Sequence, residues 1–119
     1  MMRLAVGALF LLLLTACAPT VDKTGPVLNQ PHLTGSAFVA ADGAVLPTRS
    51  WLPATEPEAV VVALHGMDDY RAFFDIPGSR LAAAGIAAYA YDQRGFGQAP
   101  DPGAWFGEEA MQDDLYAFL

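Results

Sequence analysis

Two short apolar runs, Ala59-Val60-Val61-Val62-Ala63-Leu64 and Ile86-Ala87-Ala88-Tyr89-Ala90-Tyr91, each end in a turn rich in glycine and polar residues. Apolar residues that continue for five or six positions without polar alternation have the pattern of strands covered on both faces of a parallel sheet. Between them Phe73, Ile76, Leu81 and Ala84 fall at helical spacing, with Gly85 as a stop signal. Pro77 and Gly78 place the start of regular helix near their own position. Parallel strands cannot be joined by a hairpin, so the order strand, crossover helix, strand is the arrangement this stretch demands.

The flanks extend the pattern. Gly35 to Ala40 and Ala44 to Leu52 are rich in strand formers and are separated by Ala41-Asp42-Gly43, whose Asp-Gly pair favours a hairpin. Pro47 belongs at an edge or a bulge. Glu108 to Leu119 returns to helical spacing through Met111, Leu115, Phe118 and Leu119, with acidic residues at the start, where the helix dipole favours them. The order β-β-β-α-β-α predicts an α/β fold in which antiparallel strands lead into a doubly wound, mostly parallel sheet. Two parallel strands cannot cover both faces of such a sheet, and Leu119 sits on the apolar stripe with no cap after it. The expectation is an incomplete domain over residues 35–119.

Charge and cysteine content narrow the partners. Thirteen acidic residues against six basic ones give a formal charge of -7, which argues against a nucleic-acid partner. No basic amphipathic stretch is present to hold an anionic membrane face. Cys17 is the single cysteine, so neither a disulfide framework nor a multi-cysteine metal site is expected.

Its position carries more. Met1, Met2 and Arg3 form a short positive start, and Leu4 to Leu14 is an apolar run within the ~7–15 residues of an export signal. The run falls short of the about 20 residues that span a bilayer. Leu14-Thr15-Ala16-Cys17 resembles the bacterial lipobox, which implies a signal peptide over 1–16, removed so that a lipidated Cys17 becomes the first residue. Each buried CH₂ of the lipid chains adds ~0.8 kcal/mol, so several chains anchor stably. The expected location is the bacterial cell envelope, lipid-anchored. The alternative is soluble secretion or periplasmic release, since Ala16-Cys17-Ala18 also fits cleavage after Ala18. Residues 17–34 lack periodicity; Pro19 to Pro31 reads as a tether holding the domain off the membrane, with His32 a solvated loop residue.

Two turns carry the chemistry. Leu64-His65-Gly66-Met67 follows the first apolar run, and Tyr91-Asp92-Gln93-Arg94-Gly95-Phe96-Gly97 follows the second. Together they resemble the α/β-hydrolase superfamily, in particular its monoacylglycerol lipase, lysophospholipase and serine aminopeptidase S33 branch. The resemblance implies that the Met67 backbone N–H serves in an oxyanion hole, supported by His65 and Gly66. It implies a structural turn built from Asp92, Arg94, Gly95 and Gly97. In this family the nucleophile sits in a G-x-S-x-G elbow, and the acid and histidine follow it. The serines here are Ser36, Ser50 and Ser79 and none lies in such an elbow, nor does a histidine follow His65. No catalytic residue is therefore assigned within the chain; nucleophile, acid and histidine are expected after Leu119.

The resemblance implies hydrolysis of carboxylic esters, small-molecule or lipid, through an acyl-enzyme, with no cofactor and no metal. Asp68 and Asp69 read as solvated loop carboxylates, since a hard cation needs more ligands than an adjacent pair supplies. Tyr70, Phe73, Phe74, Trp105 and Phe106 fit either an acyl pocket or aromatic core packing. A non-catalytic envelope lipoprotein that keeps the fold's front part as a binding or structural module is the alternative. A dinucleotide-binding fold would need G-x-G-x-x-G where His65-Gly66-Met67-Asp68 stands.

Overall fold

The computed structural model describes residues 20–119; the expected export segment and Cys17 lie outside them. Five strands, β1 (His32–Leu33), β2 (Ala37–Val39), β3 (Val45–Trp51), β4 (Ala59–Ala63) and β5 (Ile86–Tyr91), form one sheet in the order β1-β2-β3-β5-β4. The first three pairings are antiparallel and β4 runs parallel to β5. A 3-10 turn (Arg71–Phe74) leads directly into helix α1 (Asp75–Ala83), and helix α2 (Gly107–Phe118) follows β5.

The Asp42-Gly43 hairpin forms as expected, with Gly43 at φ 84°, a value that costs glycine little. Pro47 does not sit at an edge, because β3 lies between β2 and β5. It is tolerated because β3 changes partner there. Residues 45–47 pair with β2 and residues 48–51 with β5, so the missing N–H falls where the ladder passes from one neighbour to the other.

Strand alternation separates two packing layers. Leu46 and Tyr91 point to one face, where Phe38, Ala40, Leu46, Tyr91 and Ala99 make the core and Phe118 of α2 closes it. The Phe118 ring lies 5.4 Å from Phe38 and 5.0 Å from Tyr91, centroid to centroid. Trp51, five positions after Leu46, falls on the opposite face and meets α1 at Gly78, where any Cβ would overlap the indole ring. Helices on both faces of the sheet are the doubly wound arrangement.

Pro77 does not delay α1. It occupies the first helical turn, where its absent N–H would have no intrahelical partner in any case.

Three expectations about burial are overturned. β4 is not covered on both faces: Val60 is 62% and Val61 36% exposed, because β4 is the last strand in the sheet order and its outer edge pairs with no strand among the described residues. Phe73 and Ile76 are exposed, since Gly78 is the residue that α1 buries. Leu119 is exposed too, and the buried residue of α2 is Asp114.

Residues 20–31 do not stand off as a tether. Backbone N–H groups of Leu28 and Asn29 donate to Ala41 O, Gly25 N–H donates to the Asp42 carboxylate, and Asp22 N–H donates to Trp105 O at 2.7 Å. His32, expected in a loop, belongs to edge strand β1, though it is exposed as anticipated. Among the described residues no helix is long and apolar enough to cross a membrane.

Candidate active-site cleft

Both motif turns emerge from the same end of neighbouring strands β4 and β5, because the two strands run parallel. Ligand sites of open α/β sheets form at that carboxyl end. An open cleft of ≈ 420 Å³ lies there, lined by Met67, Asp68, Asp69 and Tyr70 from the first turn and by Gly95, Phe96, Gly97, Gly103, Ala104 and Trp105 from the second.

His65 is buried and locks the first turn to the second. Its Nε2 accepts the Gln93 backbone N–H at 3.0 Å, and the Gln93 side-chain amide donates to His65 O at 2.7 Å. Because Nε2 is used as an acceptor, the ring proton resides on Nδ1, which donates to Gly66 O at 2.9 Å. The Phe96 ring packs edge-on at 5.5 Å. The imidazole is thus committed at both nitrogens to holding the loop.

Gly66 faces open space, with no heavy atom within 4 Å of a Cβ built there. Asp68 adopts φ 59°, a left-handed conformation that aspartate tolerates better than most side chains. The Met67 side chain is 72% exposed. Among the described residues no acceptor meets its backbone N–H.

Asp92, fully buried, ties the second turn together from inside. Its carboxylate accepts the backbone N–H groups of Gln98 and Arg71, each at 2.8 Å, and pairs with the Arg71 guanidinium. The same guanidinium donates to Gln98 Oε1 at 2.8 Å. Asp92 therefore holds the Gln98 end of its own turn and also fastens the 3-10 turn to it. Gly97 lies against this carboxylate at φ 56°, with no room for a Cβ, and Gly95 at φ 79° lies equally close to the Ala104 carbonyl oxygen.

Arg94 is the centre of an ion triad that local sequence reasoning missed. It is buried; Nε and Nη2 bind both oxygens of Asp114 at 2.6 and 2.9 Å, while Nη1 and Nη2 bind Asp42 at 2.7 and 2.9 Å. Its guanidinium also lies 5.7 Å from the Phe106 ring centroid. One cation thereby joins the hairpin turn, the second motif turn and α2. The hydrogen bond from Arg94 holds the Asp42 carboxyl below its ordinary range. Burial raises the carboxyl of Asp114, with Arg94 opposing. A signal for the triad existed: Asp114 falls on the helix face of Met111, Leu115 and Phe118, where a carboxylate requires a cation.

Of the aromatic candidates, Tyr70 and Trp105 line the cleft. Phe73 and Phe74 stack edge-to-face on each other at 5.5 Å, and Phe106 serves Arg94. Asp68 is exposed and Asp69 half-buried at the rim. Among the described residues no group of three or more His, Cys, Asp or Glu side chains is placed to hold a metal ion. Ser36, Ser50 and Ser79 are exposed, and none lines the cleft.

The chain is similar to known proteins. The chain is 34% identical over 62 residues to a monoacylglycerol lipase of Mycolicibacterium smegmatis, a match covering 52% of this chain and 22% of that protein. It is 36% identical over 62 residues to an uncharacterised abhydrolase domain-containing protein of Dictyostelium discoideum, covering 52% of this chain and 7% of that one. In structure it resembles an esterase from Exiguobacterium antarcticum with a TM-score of 0.59 at 24% identity, over 71% of this chain and 30% of the esterase. The chain therefore spans under a quarter of the length of these sequence relatives. The family model for serine aminopeptidase, S33, matches residues 55–119, from just before β4 through both motif turns to the end of α2, and the chain belongs to that family of α/β-hydrolases.

Proposed function

We propose that this chain supplies the oxyanion side of a serine-hydrolase site that cleaves carboxylic esters of the lysophospholipid or monoacylglycerol kind, and that it is exported and held at the bacterial envelope by lipid on Cys17. The observation that carries the reading is the convergence of the His65-Gly66-Met67 loop and the Asp92–Gly97 turn on one cleft, with the Met67 N–H unclaimed by any described acceptor.

In this reading a serine, its histidine and its acid lie beyond Leu119. The serine oxygen attacks the ester carbonyl, its proton passes to the histidine and then to the departing alcohol, and water reverses the steps to release the acid. While the carbonyl oxygen carries charge, the Met67 N–H donates to it. A single such donor contributes ~3 kcal/mol to the transition state. Its value depends on rigidity, which the two-sided fixation of His65 supports.

The 119-residue chain is expected to remain unlabelled by a fluorophosphonate and to turn over no p-nitrophenyl ester. Labelling of Ser36, Ser50 or Ser79 would overturn this reading. In the protein extended to include the nucleophile, Met67→Pro removes the donor itself. It is expected to lower kcat by ~10²–10³ with KM little changed; steady-state kinetics would show an equal loss in kcat and kcat/KM.

A further inference from the structure

The segment before β1 is a strap, and its attachment point is the cleft wall. Asp22 N–H donates to the carbonyl of Trp105, a residue that lines the cleft. Val21 packs against Gly107 at the start of α2. Further along, Gly25 and the Leu28-Asn29 pair are bonded to the hairpin turn. The chain is thus fastened beside the cleft before it crosses the domain.

This sets how far the domain can stand from an anchor on Cys17. Positions 17 and 22 are five residues apart, a span of at most ~18 Å when fully extended. A free tether from Cys17 to Pro31 would allow about 50 Å. The strap removes most of that freedom, and the end it leaves short is the one at the cleft.

The rim suits such a neighbour. Met67 and Tyr70 line the cleft and are 72% and 50% exposed, and Phe73, just beyond, is 65% exposed. Charge does not draw this surface to a membrane, since the chain carries -7 and Asp68 and Asp69 stand at the same rim. Placement must come from the covalent anchor and the short lead.

We propose that the Asp22–Trp105 attachment seats the cleft against the bilayer to which Cys17 is anchored, so that the site takes long-chain monoacyl esters directly from the membrane. This rests on the lipid-anchored ester-hydrolase reading and gives it a substrate source. A monoacyl lipid then need not cross bulk water, where every exposed CH₂ of its chain is disfavoured.

Trp51 and Trp105 are the two tryptophans, so Trp51→Phe leaves a reporter on the cleft wall. The lipidated Trp51→Phe chain is reconstituted in phosphatidylethanolamine–phosphatidylglycerol vesicles containing a dansyl headgroup lipid, and energy transfer from Trp105 is measured. The Trp105→Phe counterpart gives the Trp51 contribution and serves by subtraction from the unsubstituted chain if Trp51→Phe folds poorly. Inserting about 30 Gly/Ser residues after Thr20 adds a root-mean-square reach of about 30 Å and is expected to reduce the Trp105 transfer about twofold or more. Equal transfer with and without the spacer overturns the proposal, as does a Cys17 that mass spectrometry finds without lipid. The readout needs no turnover, so a failed esterase assay and a misplaced cleft give separate results.

Discussion

Gly95→Ala is expected to cost the chain about 2–5 kcal/mol of stability, combining a left-handed conformation forced on an L-residue with overpacking against a rigid backbone. The obstacle is the Ala104 carbonyl oxygen, which a flexible side chain's retreat cannot relieve. Gly95 N–H donates to Pro100 O and Gly95 O accepts from Gly103 N–H, so the strain spreads into the loop that ends in Ala104 and Trp105 at the cleft wall. Gly103 offers the internal control. Its φ of 84° is as unfavourable for alanine, but nothing lies within 4 Å of a Cβ there, and Gly103→Ala is expected to cost only about 1–2 kcal/mol. Urea midpoints of the two variants at constant slope separate backbone strain from collision.

Arg94→Met should be at least as damaging, at about 3–5 kcal/mol, because it leaves the buried Asp114 carboxylate and the half-buried one of Asp42 without their cation. The pH dependence should change with it. In the unsubstituted chain the lowered Asp42 pKa contributes stability that is full above its ordinary value of 3.8 and is lost as pH falls through the depressed folded value. The raised Asp114 pKa works in the opposite sense, contributing below 3.8 and losing that contribution as pH rises through its folded value. Without Arg94 both carboxyls are pushed upward by burial, the folded state binds more protons than the unfolded state, and stability should climb as pH falls from 7 toward 4. A steeper gain on acidification than the parent chain shows, followed by urea titration at each pH, is the expected result. A parallel pH profile would mean that the triad is not a buried ionic unit.

The two motif turns and the hairpin were legible because each has a local residue pattern: Asp42-Gly43 needs only its own φ preference, and His65-Gly66 and Asp92–Gly97 are recognisable within a few residues although distant partners, Gln93 and Arg71, hold them. The fold class followed from the order of strand and helix patterns. What sequence periodicity could not supply was lateral position. Val60 and Val61 have the residue types of a central strand, yet the exposure of β4 is decided by its place in the sheet order, which no local pattern encodes. Pro47 was misplaced for the same reason, since the change of partner along β3 depends on where β5 begins. Arg94 stayed hidden because its partners lie 52 and 20 positions away in sequence. The strap eluded periodicity because its order consists of backbone hydrogen bonds to other loops, which impose no repeat on side chains.

β4 also has a consequence for how this chain behaves on the way to its folded state. Its outer row of backbone donors and acceptors meets no strand among the described residues, and three consecutive valines make that row a template onto which any extended polypeptide can zip. Glu56 and Glu58 are both exposed and immediately upstream, Glu58 on the β5 side beside Gly85, and together they flank the valines with negative charge, the pattern of gatekeeper residues. Two carboxylates that have no part in the cleft are thus expected to restrain aggregation, and neutralising them should show first as lost soluble yield.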